Sequence, residues 1–193
     1  MLLTAAILRA GSGCTPARAA AWLVPLQAAL DVYAIDTPLR LSMFLANVGH
    51  ESGRLVCVKE IWGPTVAQSR YEGRADLGNI KPGDGKRFLG RGLIQLTGRD
   101  NARACRDGLR KVMPGVPDFE ADPTPLEQPK WATLSACWFW NSKGLDRWAD
   151  LGDFDGVCDV INRGWKTTAL GDANGYIERL ALWKSVRVAV DLA

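Results

Sequence analysis

The chain has a single histidine, His50, and its five cysteines include no CxxC pair. A zinc helix of the HExxH type needs a second histidine four residues after the first, and Arg54 occupies that position. This excludes a histidine-based zinc site. The odd number of widely separated cysteines predicts reduced, partly buried thiols rather than disulfides or metal ligands.

Long apolar runs and a strong charge of one sign are also missing. No stretch approaches the roughly 20 apolar residues that a membrane-spanning helix needs, so stable membrane insertion is not expected. The net charge of +3 is small, and without a basic helix face or a known motif it does not predict nucleic-acid binding. In the N-terminal stretch MLLTAAILRAGSGC, Arg9 interrupts the apolar run and no basic residue precedes it. This pattern predicts a short amphipathic helix instead of an export signal.

The sequence does contain a globular composition with clear helix starts. Hydrophobic residues make up 47% of the 193 positions, enough for one catalytic domain over 1–193 or for two lobes sharing the chain. Thr15-Pro16 and Thr37-Pro38 each place a capping threonine before a proline at the first helical position. The pattern predicts a mainly α protein. The predicted helices cover 15–33, 38–52, 99–112, 130–142, 153–162 and 172–190.

Between two of these helices, residues 63–98 are rich in glycine, proline and charge. We expect this segment to be irregular and too polar for the core, with a short hairpin around KPGDG. A long ordered loop of this kind in a compact domain is usually functional. Of the aromatic residues, Trp138 and Trp140 are expected in the core, whereas Trp62 in the loop is a candidate for contacting a ligand.

The stretch LANVGHESGRL ends a predicted helix at Glu51, with Gly53 as the expected C-cap. On a helical wheel Glu51 lies about 20° from Phe44, at the edge of an apolar stripe. A carboxylate there would be partly desolvated, as suits a general acid. The alternative is a solvated glutamate at a fraying helix end.

The carboxylate that lies nearest to Glu51 in the sequence is that of Glu60. On one straight helix it would lie about 13 Å along the axis from Glu51 and on the opposite face. A helix broken at Gly53 would let Glu60 return toward Glu51, to the separation of about 6.5–9.5 Å found in inverting glycosidases.

The stretch GKRFLGRGLIQLTGRDNA, residues 85–102, resembles the F-x-G-R-G-x-I-Q-[LI]-[ST]-x-x-x-N signature of glycoside hydrolase family 19, the chitinase and lysozyme-like endolysin group. The letters HES match the segment that carries the general acid of that family. VINRG and YIERLALWK resemble its I-N-G-G motif and its closing helix. EIWGP, YEGRADLGN and PGDG are similar to phage and prophage endolysins of Gram-negative hosts. The resemblance covers about 15–184.

The resemblance implies a mainly α, lysozyme-like α+β fold, with two helical lobes, a substrate groove between them and a polar loop or hairpin segment. It implies a monomeric endolysin without a cofactor or a separate cell-wall-binding domain, which hydrolyses β-1,4 bonds of peptidoglycan by an inverting mechanism. The protein would wait in the host cytoplasm and reach the periplasmic wall once a holin or a similar partner opens the membrane. A chitinase, or a glycan-binding module without catalysis, is the alternative.

Site residues follow from the resemblance position by position. Glu51 is the implied general acid, Glu60 the base that activates water, and Thr97 the residue that helps to hold that water. The implied substrate-binding residues are Gln95, Asn101, Asn162, Trp62, Tyr71 and Arg74. His50 and Arg179 are implied as supporting residues beside the acid. Arg70, Arg74, Lys81, Lys86, Arg87 and Arg91 form either a solvated face or a contact for peptide carboxylates.

The chain departs from the family pattern in three places. The interval between the two glutamates is short compared with plant chitinases. INRG replaces INGG, with Arg163 at the third position. The stretch WKTTALG lacks the acidic residue that plant members use in a charge network around the acid.

Overall fold

A computed structural model describes residues 1–190. Within that range the chain is helical, and its only β pairing consists of two isolated antiparallel bridges, Lys59 with Arg91 and Arg91 with Leu96. The α-helices are α1 (Ala5–Ser12), α2 (Pro16–Tyr33), α3 (Pro38–Glu51), α4 (Val66–Ser69), α5 (Asp84–Arg87), α6 (Arg99–Arg110), α7 (Pro129–Ser142), α8 (Asp146–Asp150), α9 (Phe154–Arg163) and α10 (Tyr176–Ala189). Two 3-10 helices cover Ala75–Leu77 and Thr124–Glu127. Among the described residues, no helix is both long and apolar enough to cross a membrane.

The helix starts follow the threonine signals. Thr15 and Thr37 cap α2 and α3 by accepting a hydrogen bond from the backbone N–H three residues on, and Thr4 caps α1 in the same way. The predicted mainly α class is confirmed.

Helix ends are less well predicted. The cap of α3 is Ser52 and not Gly53, because left-handed backbone already begins at Gly53 and continues through Arg54 and Leu55, with φ of 55°, 65° and 62°. α10 begins at Tyr176, four residues later than expected, because 171–175 form turns.

The hairpin expected around KPGDG does not form. Gly83 precedes the short helix α5, and the carboxylate of Asp84 accepts hydrogen bonds from the Lys81 backbone and from Arg99. The Arg99 hydrogen bond lowers the pKa of Asp84. The expectation that 63–98 stays outside the core is also wrong. Its buried polar residues include Gln68, Asn79, Asp84 and Arg91, and each has hydrogen-bond partners.

The described chain divides into two compact units. The first consists of Met1–Val56 and the chain from Phe139 onward, and the second of Cys57–Trp138. In the first unit α3 packs against α1 and α10, and Phe44 meets Trp140 edge to face at 5.6 Å. Trp140 is a core residue as predicted, but Trp138 of the second unit is only half-buried. The core of the second unit contains Phe88, Leu93, Phe119, Leu126 and Trp131.

Two glycines let α1 approach α3 closely. A Cβ on Gly11 would lie 2.6 Å from the Cβ of Leu45, and a Cβ on Gly49 would lie 2.6 Å from the Cα of Ser12. Real Cβ atoms do not come this near to another carbon, so both positions require glycine. This contact fixes α1 against the last turns of the helix that ends at Glu51.

We predict that Gly49→Ala lowers the free energy of unfolding by up to about 2 kcal/mol. Alanine improves helix propensity by about 1 kcal/mol, but displacing backbone in a packed core costs more, typically 1–3 kcal/mol. Urea unfolding followed by circular dichroism measures the change. The opposite substitution, Ala34→Gly, serves as a control. Ala34 has left-handed backbone at the C-cap of α2, so glycine there should raise the free energy of unfolding. A stabilised Gly49→Ala variant would contradict the packing argument.

Candidate active site

Glu51 lies in the last turn of α3, in the first unit. Its side chain is 21% exposed, and one carboxylate oxygen accepts a hydrogen bond from Nη2 of Arg179. Glu51 is therefore a partly buried, ion-paired carboxylate. The alternative of a solvated glutamate at a frayed end does not describe it.

Arg179 reaches Glu51 from α10 and is itself only 1% exposed. Its Nη1 donates to Oδ1 of Asn47 at 2.7 Å, and its Nε donates to the carbonyl of Asn174 at 3.0 Å. The Asn47 side chain is held in turn by donating to the Met43 carbonyl at 2.9 Å. The guanidinium thus connects two residues of α3 with the segment that precedes α10.

His50 lies beside this network. Its Nδ1 is 2.8 Å from Oε2 of Glu178, and its imidazole covers Gly175, where any Cβ would collide with the ring. The glutamate also lies 3.7 Å from Nη2 of Arg54. These contacts place His50 at the contact of α3 with α10.

Asn162 lies near the end of α9, and its Oδ1 accepts from the Asn174 backbone at 3.0 Å. The side chain is exposed. Asn162 and Arg179 thus hold the same residue, Asn174, one through its N–H and the other through its carbonyl.

Two buried aspartates of α9 hold the following segment, 164–175. Asp155 accepts from the Gly171 backbone at 2.7 Å, and Asp159 accepts from the Thr167 backbone at 2.9 Å. Lys166 pairs with Asp155. Burial alone would lower the pKa of Lys166, but its hydrogen bond to Asp155 and the surrounding carboxylates raise it. These contacts order the segment that presents Asn174.

Glu60 belongs to the second unit, and its hydrogen-bond donors among residues 1–190 are neutral. Gln68 Nε2 donates to Oε1 at 2.9 Å, the Gly90 backbone donates to Oε2 at 3.0 Å, and the Tyr71 hydroxyl lies 3.4 Å from Oε1. The backbone N–H of Glu60 also donates to the Gly90 carbonyl at 2.8 Å. Burial, followed by the charge of Glu60 and the hydrogen bond to it, raises the pKa of Tyr71. Tyr71 therefore keeps a proton that it can donate.

Gly90 brings the other polar residues of the signature next to Glu60. A Cβ on Gly90 would lie 2.9 Å from Oε1 of Gln95 and 3.3 Å from Oγ1 of Thr97. Gln95 has left-handed backbone with φ of 53°, and Thr97 donates to its carbonyl at 2.9 Å. Three predicted site residues of the second unit therefore lie around Gly90, namely Glu60, Gln95 and Thr97.

The remaining predicted residues differ in how close they lie to this cluster. The ring of Trp62 packs at a tilt against that of Tyr71, with 6.4 Å between centroids. Asn101 is exposed and donates to the Thr97 carbonyl at 2.7 Å. Arg74 pairs within its own turn with Asp76, and this hydrogen bond raises its pKa. Arg74 is thus drawn into a local ion pair.

Sequence reasoning missed Gln68 and Asn47, which contact Glu60 and Arg179. A signal for Gln68 was available. Thr65 and Gln68 have the T-x-x-Q spacing of a capping box, and the structure contains that box at α4. Asn47 could have been noticed as an amide on the apolar face of α3, since a buried amide needs hydrogen-bond partners.

The chain is similar to known proteins in sequence and in fold, although no family model matches it. A glycosyl hydrolase family 19 domain-containing protein of Haemophilus influenzae is 29% identical over 177 residues, covering 78% of this chain and 80% of that protein. The endochitinase CHI of Arabidopsis thaliana is 29% identical over 102 residues, 53% of this chain and 35% of that protein. The crystal structure of chitinase C from Streptomyces griseus HUT6037 aligns with a TM-score of 0.71 at 22% identity, covering 98% of this chain and 77% of the other. The helical fold of the described residues thus resembles that of chitinase C.

We predict that Arg179→Met lowers the free energy of unfolding by about 3–5 kcal/mol, because it leaves the side chains of Glu51 and Asn47 without their buried partner. Urea unfolding measures the loss, and the loss should be smaller in a Glu51→Gln background. The matched control is Arg54→Met, since that arginine is exposed and its ion pair contributes little. Equal losses for the two arginines would contradict the buried network.

Proposed function

We propose that the chain is a family 19 glycoside hydrolase that cleaves β-1,4 bonds by inversion, with Glu51 as general acid and Glu60 as general base. The observation that carries the proposal is the contrast between the two carboxylates. Glu51 is bound by a buried guanidinium, whereas Glu60 is bound by an amide, a hydroxyl and a backbone N–H. Two carboxyl groups that take different roles in catalysis have different surroundings, and Glu51 is assigned as the acid because HES matches the segment that carries the acid in family 19.

Each role matches the chemistry of an inverting reaction. The acid protonates the leaving oxygen, while the base removes a proton from water on the opposite face of the sugar. When Glu51 has given up its proton, Arg179 stabilises the carboxylate that remains. Thr97 and Gln95 lie beside Gly90, which donates to Glu60, and this closeness supports a role for their polar atoms in holding the attacking water.

Amide side chains supply the sugar contacts in this proposal. Gln95, Asn101 and Asn162 can each donate to and accept from hydroxyl and N-acetyl groups. Asn101 and Asn162 are exposed, as substrate binding requires. The partly exposed indole of Trp62 offers an apolar face to a sugar ring.

The proposed substrate is the glycan strand of peptidoglycan, and the proposed setting is a phage or prophage endolysin released to the wall by a holin. Exposed Arg70, Lys81 and Lys86 support an anionic polymer bearing peptide carboxylates. Arg91 does not add to this surface, because it is buried and paired with Glu127. Chitin is the second candidate, favoured by the similarity to an endochitinase and to chitinase C.

We predict that Glu51→Gln and Glu60→Gln each reduce hydrolysis at least about 100-fold, since positioned proton transfer contributes on the order of 10²–10⁴. Turbidity clearing of outer-membrane-permeabilised Gram-negative cells measures the rate. The matched control is Asp150→Asn, which removes an arginine-bound carboxylate outside the proposed machinery and should retain activity. Clearing by Glu51→Gln at the wild-type rate would contradict the assignment of Glu51 as the general acid.

Mass spectrometry of digests distinguishes the two substrates. We expect purified peptidoglycan to be cleaved faster than chitin oligomers of equal length, and Lys81→Ala with Lys86→Ala to slow only the peptidoglycan reaction. The reducing-end sugar of the products also separates muramidase from glucosaminidase cleavage. Faster cleavage of chitin, unaffected by these lysine changes, would establish the chitinase alternative.

A further inference from the structure

Gln68 has more hydrogen bonds than any helix-capping role requires. Its Oε1 accepts from the backbone N–H groups of Gly63 and Thr65, at 3.1 and 2.8 Å. Its Nε2 donates to the carbonyl of Ile61 at 2.8 Å and to Oε1 of Glu60 at 2.9 Å. The side chain is 5% exposed. Both ends of this amide are therefore fully used within the second unit.

The two bonds to Oε1 of Gln68 fix which way the amide faces. Backbone N–H groups can only donate, so the oxygen of Gln68 must point toward Gly63 and Thr65, and its NH₂ must point toward Glu60. A flipped amide would put NH₂ against two donors. The backbone N–H groups of Gly63 and Thr65 thus determine that the NH₂ of Gln68, and not its oxygen, faces Glu60.

The second oxygen of Glu60 is held from another direction. Gly90 belongs to the F-L-G-R-G stretch and donates to Oε2 at 3.0 Å. One fixed donor on each oxygen defines the plane of the carboxylate, which a single hydrogen bond would leave free to rotate. Tyr71 adds a longer contact on the side of Oε1.

We propose that Gln68 is a positioning residue for the reaction, which together with Gly90 holds the Glu60 carboxylate in the orientation that activates water. This inference rests on the proposed function. It adds a residue that lies outside the recognised signature and contacts the proposed base directly. A misplacement of about 1 Å in a catalytic group can reduce a rate on the order of 100-fold, so such a residue should affect turnover more than binding.

The isosteric change Gln68→Glu separates positioning from folding. A glutamate at this position of a capping box still accepts from Gly63 and Thr65, so α4 keeps its cap, but the ionised side chain cannot donate to Glu60 and places a second carboxylate against it. We expect kcat to fall about 10–100-fold with KM nearly unchanged. Gln68→Met, which loses both functions, should lower kcat and also the melting temperature.

Gln27 is a matched control in the first unit. It accepts from the Leu3 backbone at 2.6 Å and donates to a carboxylate, Asp31, at 2.6 Å. Gln27→Glu therefore makes the same chemical change away from the proposed machinery and should leave kcat unchanged. If Gln68→Glu kept the wild-type kcat while Gln68→Met lost stability, Gln68 would be only a helix cap and the proposal would be overturned.

An NMR measurement tests the contact without depending on activity. We expect the side-chain amide protons of Gln68 to exchange slowly with solvent, and to exchange faster in Glu60→Ala, which has no side-chain acceptor. Fast exchange in the wild type, or no effect of Glu60→Ala, would refute the contact and the proposal with it. A protein that shows the contact but cleaves no glycan would refute the proposed function, and with it the role of Gln68 in a reaction.

Discussion

The buried guanidinium of Arg179 is the interaction on which the first unit depends. Removing this charge from water costs several kcal/mol unless well-placed partners compensate. Asn47, Glu51 and the Asn174 carbonyl supply that compensation, so α3 and the turn before α10 must meet at fixed distances. The same close approach of α3 to this turn brings the imidazole of His50 over Gly175, where a Cβ would collide with the ring.

The second unit holds its carboxylate by a different physical means. Around Glu60 the donors carry no formal charge, and their positions are set by backbone at Gly63, Thr65 and Gly90. An ion pair holds Glu51, whereas hydrogen bonds from neutral donors hold Glu60. In the first unit, the ion pair between Arg179 and Glu51 joins α10 to α3. In the second unit, contacts between Glu60 and Gly90 orient a loop whose sequence looks irregular.

How far the sequence predicts this structure depends on the range of each interaction. Thr15 and Thr37 cap helices through contacts three residues away, so their helix starts were predictable. KPGDG was misread, because Asp84 bonds to Arg99, fifteen positions further along, and this partner selects a helix over a hairpin. The helix pattern and the family resemblance both predict Glu51, and Glu60 is predicted as the next carboxylate along the chain and by the resemblance. Gln68 is not predicted, since its contacts with Glu60 and Ile61 exist only after the loop has folded.

The first unit is discontinuous in the chain, so its two parts are synthesised before and after the second unit. The continuous second unit, Cys57–Trp138, has all its residues available before α10 leaves the ribosome. α3, in contrast, waits for α10, which packs against both α1 and α3 and brings the cation for Glu51. A nascent or prematurely terminated chain that stops before Arg179 thus contains both glutamates but has no ion pair at the first. The synthesis of α10 is therefore the step that gives Glu51 its cation.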